Sequence, residues 1–222
     1  KFIELYKKAQ DYAIKHNKNL IIVGGTGFYL KALIDGLSLG VESKVKLDIP
    51  ISEAYDLLYD LDKEYMQKIE KNDRYRIEKA YSIYKQTGLC PTLYFEQNPK
   101  IAFSKDIKIF EILWEKNELK NRITQRTKIM IENGLIDEVI FLEKTYSREP
   151  NCMSSIGIVE TLEYLDGKLS KTALEEKISS NTIKLAKRQN TFNKSQFAEK
   201  ISNNLEDLNS DILKYFSIQS TP

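Results

Sequence analysis

"LIIVGGTGFYLKALIDGL", residues 20–37, joins an apolar run to a glycine turn and then to a helical pattern. Leu20 to Val23 is short, apolar and β-branched, which reads as a buried strand over residues 19–23. Gly24-Gly25-Thr26-Gly27 follows, and Phe28, Ala32, Leu33, Ile34 and Leu37 then recur at helical spacing, with Gly36 near the end. Strand, glycine turn, helix is an arrangement that holds phosphate in many proteins. Glycines let backbone N–H groups approach a ligand closely, and the helix N-terminus carries a partial positive charge. Thr26 adds a hydroxyl donor at the same point. A diphosphate is the natural ligand, although a tight turn with no ligand satisfies the same pattern. The chain contains no G-x-x-x-x-G-K-[ST], so a nucleoside triphosphate has no direct support.

Upstream, Phe2, Leu5, Tyr6, Ala9 and Ala13 mark one face of a helix over 2–16. Downstream, Ser52 reads as the cap of a helix whose inner face carries Ala54, Leu57, Leu58 and Leu61. Asn72-Asp73 open another helix through Lys85, with Ile77, Ala80, Tyr81 and Tyr84 spaced for burial. Gly88 reads as its C-cap and Pro91 as a stop. Residues 42–95 therefore read as a small helical unit set between two parts of a core, 1–41 and 96–222.

"IKIFEILWE", residues 107–115, is a second strand candidate. Leu119, Ile123, Met130, Leu135, Val139 and Leu142 form a long helical stripe interrupted at Gly134. Two further helices are expected over 155–165 and 171–192, separated by Asp166-Gly167. The polar tail beyond Phe197 reads as a last helix or as disorder.

Hydrophobic residues make up 41% and charged residues 30% of the 222, a globular composition. No apolar run approaches the ~20 residues that span a bilayer. Cys90 and Cys152 lie far apart with no CxxC, which argues against a disulfide framework and fits a reduced, cytoplasmic setting. The single histidine, His16, has no metal or triad partner nearby in sequence and reads as a surface residue. The formal charge of +2 is too small to decide for or against nucleic acid, so local clusters must.

Three clusters stand out. Arg122 and Arg126 are four apart and share a helical face, in a stretch (118–130) with four basic residues and one acidic. Two guanidiniums on one face can clamp a phosphate. Residues 183–194, "IKLAKRQNTFNK", hold four basic side chains and no acidic one, with Lys184, Lys187, Arg188 and Thr191 on one side. Basic groups beside Gln189, Asn190 and Phe192 suit RNA phosphates and bases. Arg74, Arg76 and Lys79 are offset by Asp73 and Glu78. A solvated helix face accounts for each cluster taken singly. No acid–base pair and no metal-ligand set emerges from the motifs.

In order, "GGTGFYLKALIDGL", "NDRYRIEKAYSIYKQTG", "RITQRTKIMIENGLIDEV", "SSIGIVETLEYLDG" and "AKRQNTF" resemble the bacterial tRNA dimethylallyltransferases, over about residues 2–197. The resemblance implies an α/β core of P-loop kinase type carrying an inserted all-helical tRNA-binding unit, mostly helical in this chain. It implies transfer of a dimethylallyl group from dimethylallyl diphosphate to N6 of adenosine 37 beside the anticodon, with Mg2+ as cofactor. A cytoplasmic monomer gripping the anticodon stem-loop is expected. By position, Thr26 and Arg126 take catalytic roles, and Gly24, Gly25, Gly27 and Arg122 bind diphosphate.

The same resemblance assigns tRNA contacts to Lys46, to Tyr75, Arg76, Ile77, Glu78 and Lys79, and to Ser154, Ser155, Ile156, Gly157, Ile158 and Val159. A last group is Lys187, Arg188, Gln189, Asn190, Thr191, Phe192, Asn193 and Lys194. Two positions depart from the family pattern: Ile158 stands for its tyrosine and Phe192 for its tryptophan. The family's P-loop and general-base aspartate are expected upstream of the first helix, so an N-terminally truncated, inactive chain is anticipated. A transferase acting on free adenine nucleotides and an RNA-binding protein without catalysis are the rival readings.

Overall fold

The computed structural model describes residues 2–38, 41, 45, 47–103 and 107–219, which fall into two compact units, Lys1–Ile107 and Lys108–Pro222. The described residues are mostly helical, with a small parallel sheet.

The first unit opens with α1 (Phe2–Lys15). Its buried residues are Tyr6 and Ala13, whereas Leu5 faces solvent, so the inward stripe is narrower than the apolar spacing implies. The expected strand over 19–23 does not form. Leu20 to Val23 runs as exposed chain, Val23 being 91% exposed, and among the described residues no strand pairs with it. Apolar β-branched character creates a demand for burial, but a strand exists only where a neighbour takes its backbone hydrogen bonds.

The turn leads into α2 (Gly27–Ile34), which buries Ala32 and Leu33. Gly36 adopts φ +82, and Leu37 then makes an antiparallel bridge to Ile101, with the Phe103 amide donating to the Leu33 carbonyl at 2.9 Å. Residues 38–100 thus leave and return at one point.

Between these ends lie α3 (Ile51–Leu61), α4 (Lys63–Met66), α5 (Arg74–Thr87) and α6 (Pro91–Gln97). Ala54, Tyr55, Leu58, Met66, Ile69, Ile77, Ala80 and Tyr81 form their shared core. Two local readings need correction. Ser52 lies inside α3, whose cap position is Pro50 without a side-chain bond. Pro91 starts α6 instead of ending structure, because proline has no N–H to lose at the first helical position and its φ suits the helix. Asp73 and Gly88 do cap α5 as expected.

Asp62 is the hinge of this small core. Its carboxylate accepts from the Tyr65 amide at 3.1 Å, the Thr92 amide at 2.7 Å and the Thr92 hydroxyl at 2.9 Å, so one buried side chain caps both α4 and α6. Asp62→Ala is expected to cost about 2 kcal/mol, since it leaves two half-buried amides and a hydroxyl without their acceptor. Urea denaturation measures this, and Asp62→Asn should retain part of the stability.

The second unit contains β1 (Phe110–Ile112), α7 (Lys116–Glu132), α8 (Leu135–Tyr146), a 3-10 turn (Asn151–Ser154), α9 (Ile158–Leu165), α10 (Lys171–Gln196), β2 (Ile201–Asn203) and α11 (Leu205–Gln219). Its core joins Ile131, Leu135, Val139, Met153, Leu162, Leu174 and Ile178. Gly134, at φ +100, separates α7 from α8 where the apolar stripe breaks.

The strand expected over 107–115 shortens to β1, and the tail supplies its partner: β2 pairs in parallel, Phe110 opposite Ile201. Glu111 on β1 is the polar centre of this sheet. It accepts from Asn193 Nδ2 at 3.1 Å and from Ser202 Oγ at 3.3 Å, and Lys200 Nζ sits 2.8 Å away without hydrogen-bond alignment. Burial pushes the Glu111 carboxyl upward, but Lys200, Asn193 and Ser202 outweigh it and hold the carboxyl below its ordinary value.

Candidate functional site

In the first unit, the glycine turn meets the start of α2. Thr26 is the N-cap residue at φ −89, ψ 87, and its hydroxyl makes no capping bond. Gly24, Gly25 and Gly27 need no left-handed backbone, and a Cβ at Gly24 would meet nothing within 4 Å. What the glycines provide there is open access to backbone N–H groups. An exposed hydroxyl and the first amides of a helix form a donor set for anionic oxygens.

On α5, Arg74 Nε bonds Glu78 at 2.6 Å, Arg76 pairs with Asp73 at 3.3 Å, and Lys79 lies 5.8 Å from the centroid of the Tyr75 ring. Tyr75, Arg76 and Lys79 share the outer face. Ile77 does not: it is 0% exposed within the helical core, so its expected RNA contact is corrected to a supporting role, as period-3.6 geometry requires of a residue flanked by an outward pair. Lys46 lies outside the described residues.

In the second unit, Arg122 and Arg126 are both exposed on α7, and among the described residues neither has a carboxylate partner. The Arg122 guanidinium stacks over Trp114, Cζ 4.2 Å from the ring centroid, which orients it without neutralising it. Trp114 is a residue that motif reading passed over; an aromatic eight residues before an arginine carries no periodic signal.

The turn before α9 exposes Ser154, Ser155 and Val159, while Ile156 and Ile158 pack on the core and Gly157, at φ +97, is buried. α10 presents Lys187, Arg188 and Thr191 with Phe192 and Ser195 around an open depression of about 370 Å³. Asn190 and Lys194 are exposed, Gln189 is half-buried, and Asn193 turns inward to Glu111. Among the described residues, Lys187, Arg188 and Lys194 make no ion pair. The sequence already separates these cations from those of α5, since Asp73 and Glu78 lie within a turn of Arg76 and Arg74 and residues 183–194 carry no acid.

Among the described residues no three His, Cys, Asp or Glu side chains gather to hold a metal. No described helix is long and apolar enough to cross a membrane.

Comparison with known proteins bears on these features. A family model described as IPP transferase matches residues 1–196. The tRNA dimethylallyltransferase of Aliarcobacter butzleri (strain RM4018) is 76% identical over 217 residues, covering 98% of this chain and 75% of that protein. That of Sulfurimonas denitrificans is 50% identical over 219 residues, covering 96% and 74%. Among solved structures, a eukaryotic dimethylallyltransferase acting on tRNA has a TM-score of 0.76 at 24% identity, over 91% of this chain and 55% of that one, a likeness of fold.

Proposed function

The chain belongs to the IPP transferase family, and we propose that its exposed donors and unpaired cations serve the transfer of a dimethylallyl group from dimethylallyl diphosphate to N6 of adenosine 37 in tRNA. The observation that carries the division of labour is which cations the fold leaves unneutralised. Arg74 and Arg76 are held by carboxylates, whereas Arg122, Arg126, Lys187, Arg188 and Lys194 have none among the described residues.

The amine N6 displaces diphosphate at the allylic carbon: the N–C bond forms as the C–O bond breaks, and one N6 proton passes to the general-base aspartate that the family resemblance implies. Negative charge gathers on the bridging oxygen as that bond breaks, so donors aimed at it lower the barrier. Arg126 neutralises the leaving diphosphate and Arg122, held by Trp114, assists. In the first unit, Thr26 and the first amides of α2 are donors suited to anionic oxygens. The Ser154–Val159 turn and the Lys187–Lys194 segment contact the tRNA, and Tyr75, Arg76 and Lys79 add contacts from the helical insertion, which we place at 42–95. The target base must leave its stack to react. Magnesium belongs to this reading through the family resemblance alone, with no ligand assigned. A tRNA substrate supports a cytoplasmic location, and we expect a monomer.

The full-length enzyme, given dimethylallyl diphosphate and a tRNA with adenosine at 37, should yield N6-dimethylallyladenosine by nucleoside mass spectrometry, and a guanosine-37 tRNA should not react. Normal tRNA binding with no product would overturn the reading. Lys187→Ala should weaken tRNA binding about tenfold and reduce the salt slope by about one phosphate contact. An unchanged slope would show that Lys187 is an ordinary surface cation.

A further inference from the structure

We propose that Glu160 is a positioning residue for tRNA, its carboxylate tying the turn before α9 to the basic helix α10. This rests on the reading that both segments contact tRNA. Glu160 is 3% exposed, yet it faces no cation among the described residues. One oxygen accepts from the Gly157 amide at 2.7 Å; the other accepts from Asn181 Nδ2 on α10 at 2.6 Å. Gly157 is held from its other side as well, its carbonyl accepting from the buried Thr161 hydroxyl at 2.6 Å.

A buried carboxylate is costly unless donors satisfy it. Accepting from the Gly157 amide, as the third residue of a capped helix does, needs only one carboxylate oxygen. The second oxygen reaches a different element, and Asn181 carries the link onward, its Oδ1 accepting from Lys184 Nζ at 3.4 Å. Lys187 and Arg188 lie six and seven residues further along α10, roughly two turns, or about 9–11 Å. The Glu160–Asn181 bond therefore sets the spacing and rotation of these cations relative to Ser154 and Ser155. RNA phosphates are fixed in space by the stem-loop, so cations held at a matching spacing bind without an ordering cost.

The decisive variants act on the far end of the link, leaving the α9 cap intact. Asn181→Ala removes the tie without changing charge. Asn181→Asp sets two carboxylates face to face. The double variant Glu160→Gln with Asn181→Asp restores the bond with reversed polarity and the original net charge. In it the glutamine carbonyl still accepts from Gly157, and the glutamine amide donates to the carboxylate introduced on α10.

In the full-length enzyme, both single variants should raise the KM for tRNA about tenfold, equivalent to about 1.4 kcal/mol, with kcat and the KM for dimethylallyl diphosphate unchanged. The double variant should return the tRNA KM to near its starting value. Circular dichroism melting keeps folding separate: a purely structural link would lower the midpoint without this selective split. If Lys187→Ala weakens tRNA binding but Asn181→Ala does not, the positioning inference is wrong while the tRNA reading stands. If neither changes tRNA binding, the tRNA reading of α10 itself has failed. Failure of the double variant to recover also overturns the inference.

Discussion

Arg126→Ala is expected to lower kcat about 10²–10³-fold in the full-length enzyme while the KM for tRNA stays within about a factor of three. The size follows from where the guanidinium acts. It is exposed on α7 without a carboxylate partner among the described residues, and in the proposed mechanism its full charge acts on the leaving diphosphate. That interaction strengthens as the allylic bond breaks, so its loss falls on the transition state and not on ground-state binding. Arg126→Lys should recover only part of the rate, because an ammonium cannot form the two-pronged contact that a guanidinium makes with phosphate oxygens.

Arg122→Ala should cost less, since it assists. Trp114→Leu should mimic it in part by releasing Arg122 from the ring. Thr26→Ala removes a single uncharged donor and should cost about tenfold. Rapid-quench single-turnover kinetics read the chemical step directly. A fall of less than about threefold for Arg126→Ala would remove it from the catalytic group.

The second large effect is on folding. Gly36→Ala should destabilise the first unit by about 4 kcal/mol. Gly36 sits at φ +82, where any Cβ is strained, and an added Cβ would lie 2.0 Å from the Ile101 carbonyl oxygen and 2.2 Å from its carbon. These are backbone atoms, so no rotamer change relieves the overlap, and the Leu37–Ile101 bridge that brings the two ends together must open. Gly88→Ala is the matched control: φ is +71 and nothing lies within 4 Å of its Cβ, so only the backbone strain of about 1 kcal/mol remains. Urea denaturation of both variants separates the terms. Equal losses at the two glycines would show that contact with Ile101 contributes nothing.

Gly36 also illustrates how far the sequence could be read. Its position after an apolar helical stretch marks a helix end, and that much is local chemistry. That Ile101, far along the chain, closes on it is a contact no local pattern encodes. The same division runs through the chain. α5 was legible at both ends because Asp73 caps within its own turn and Gly88 supplies a left-handed residue. α7 and α8 were legible because their apolar stripe breaks at Gly134. β2, "ISN", was not, because three mixed residues have no periodicity of their own and become a strand only beside β1. Glu160 lay within reach, since a glutamate three residues after the start of a helix is a capping-box spacing. Asn181, its partner on another helix, lay outside any such pattern.

By itself, then, the sequence determined the helices, their caps and breaks, the family, and the order of the motifs, because each depends on residues within a few turns of one another. The tertiary structure decided which groups are available. Ile77, within a motif, is buried, and Asn193, in the basic segment, turns to Glu111. It also left "LIIV" exposed, where composition alone implied burial. Core burial, strand pairing and the Asn193–Glu111 bond each require a partner distant in sequence, and only the folded chain brings that partner within a few ångströms.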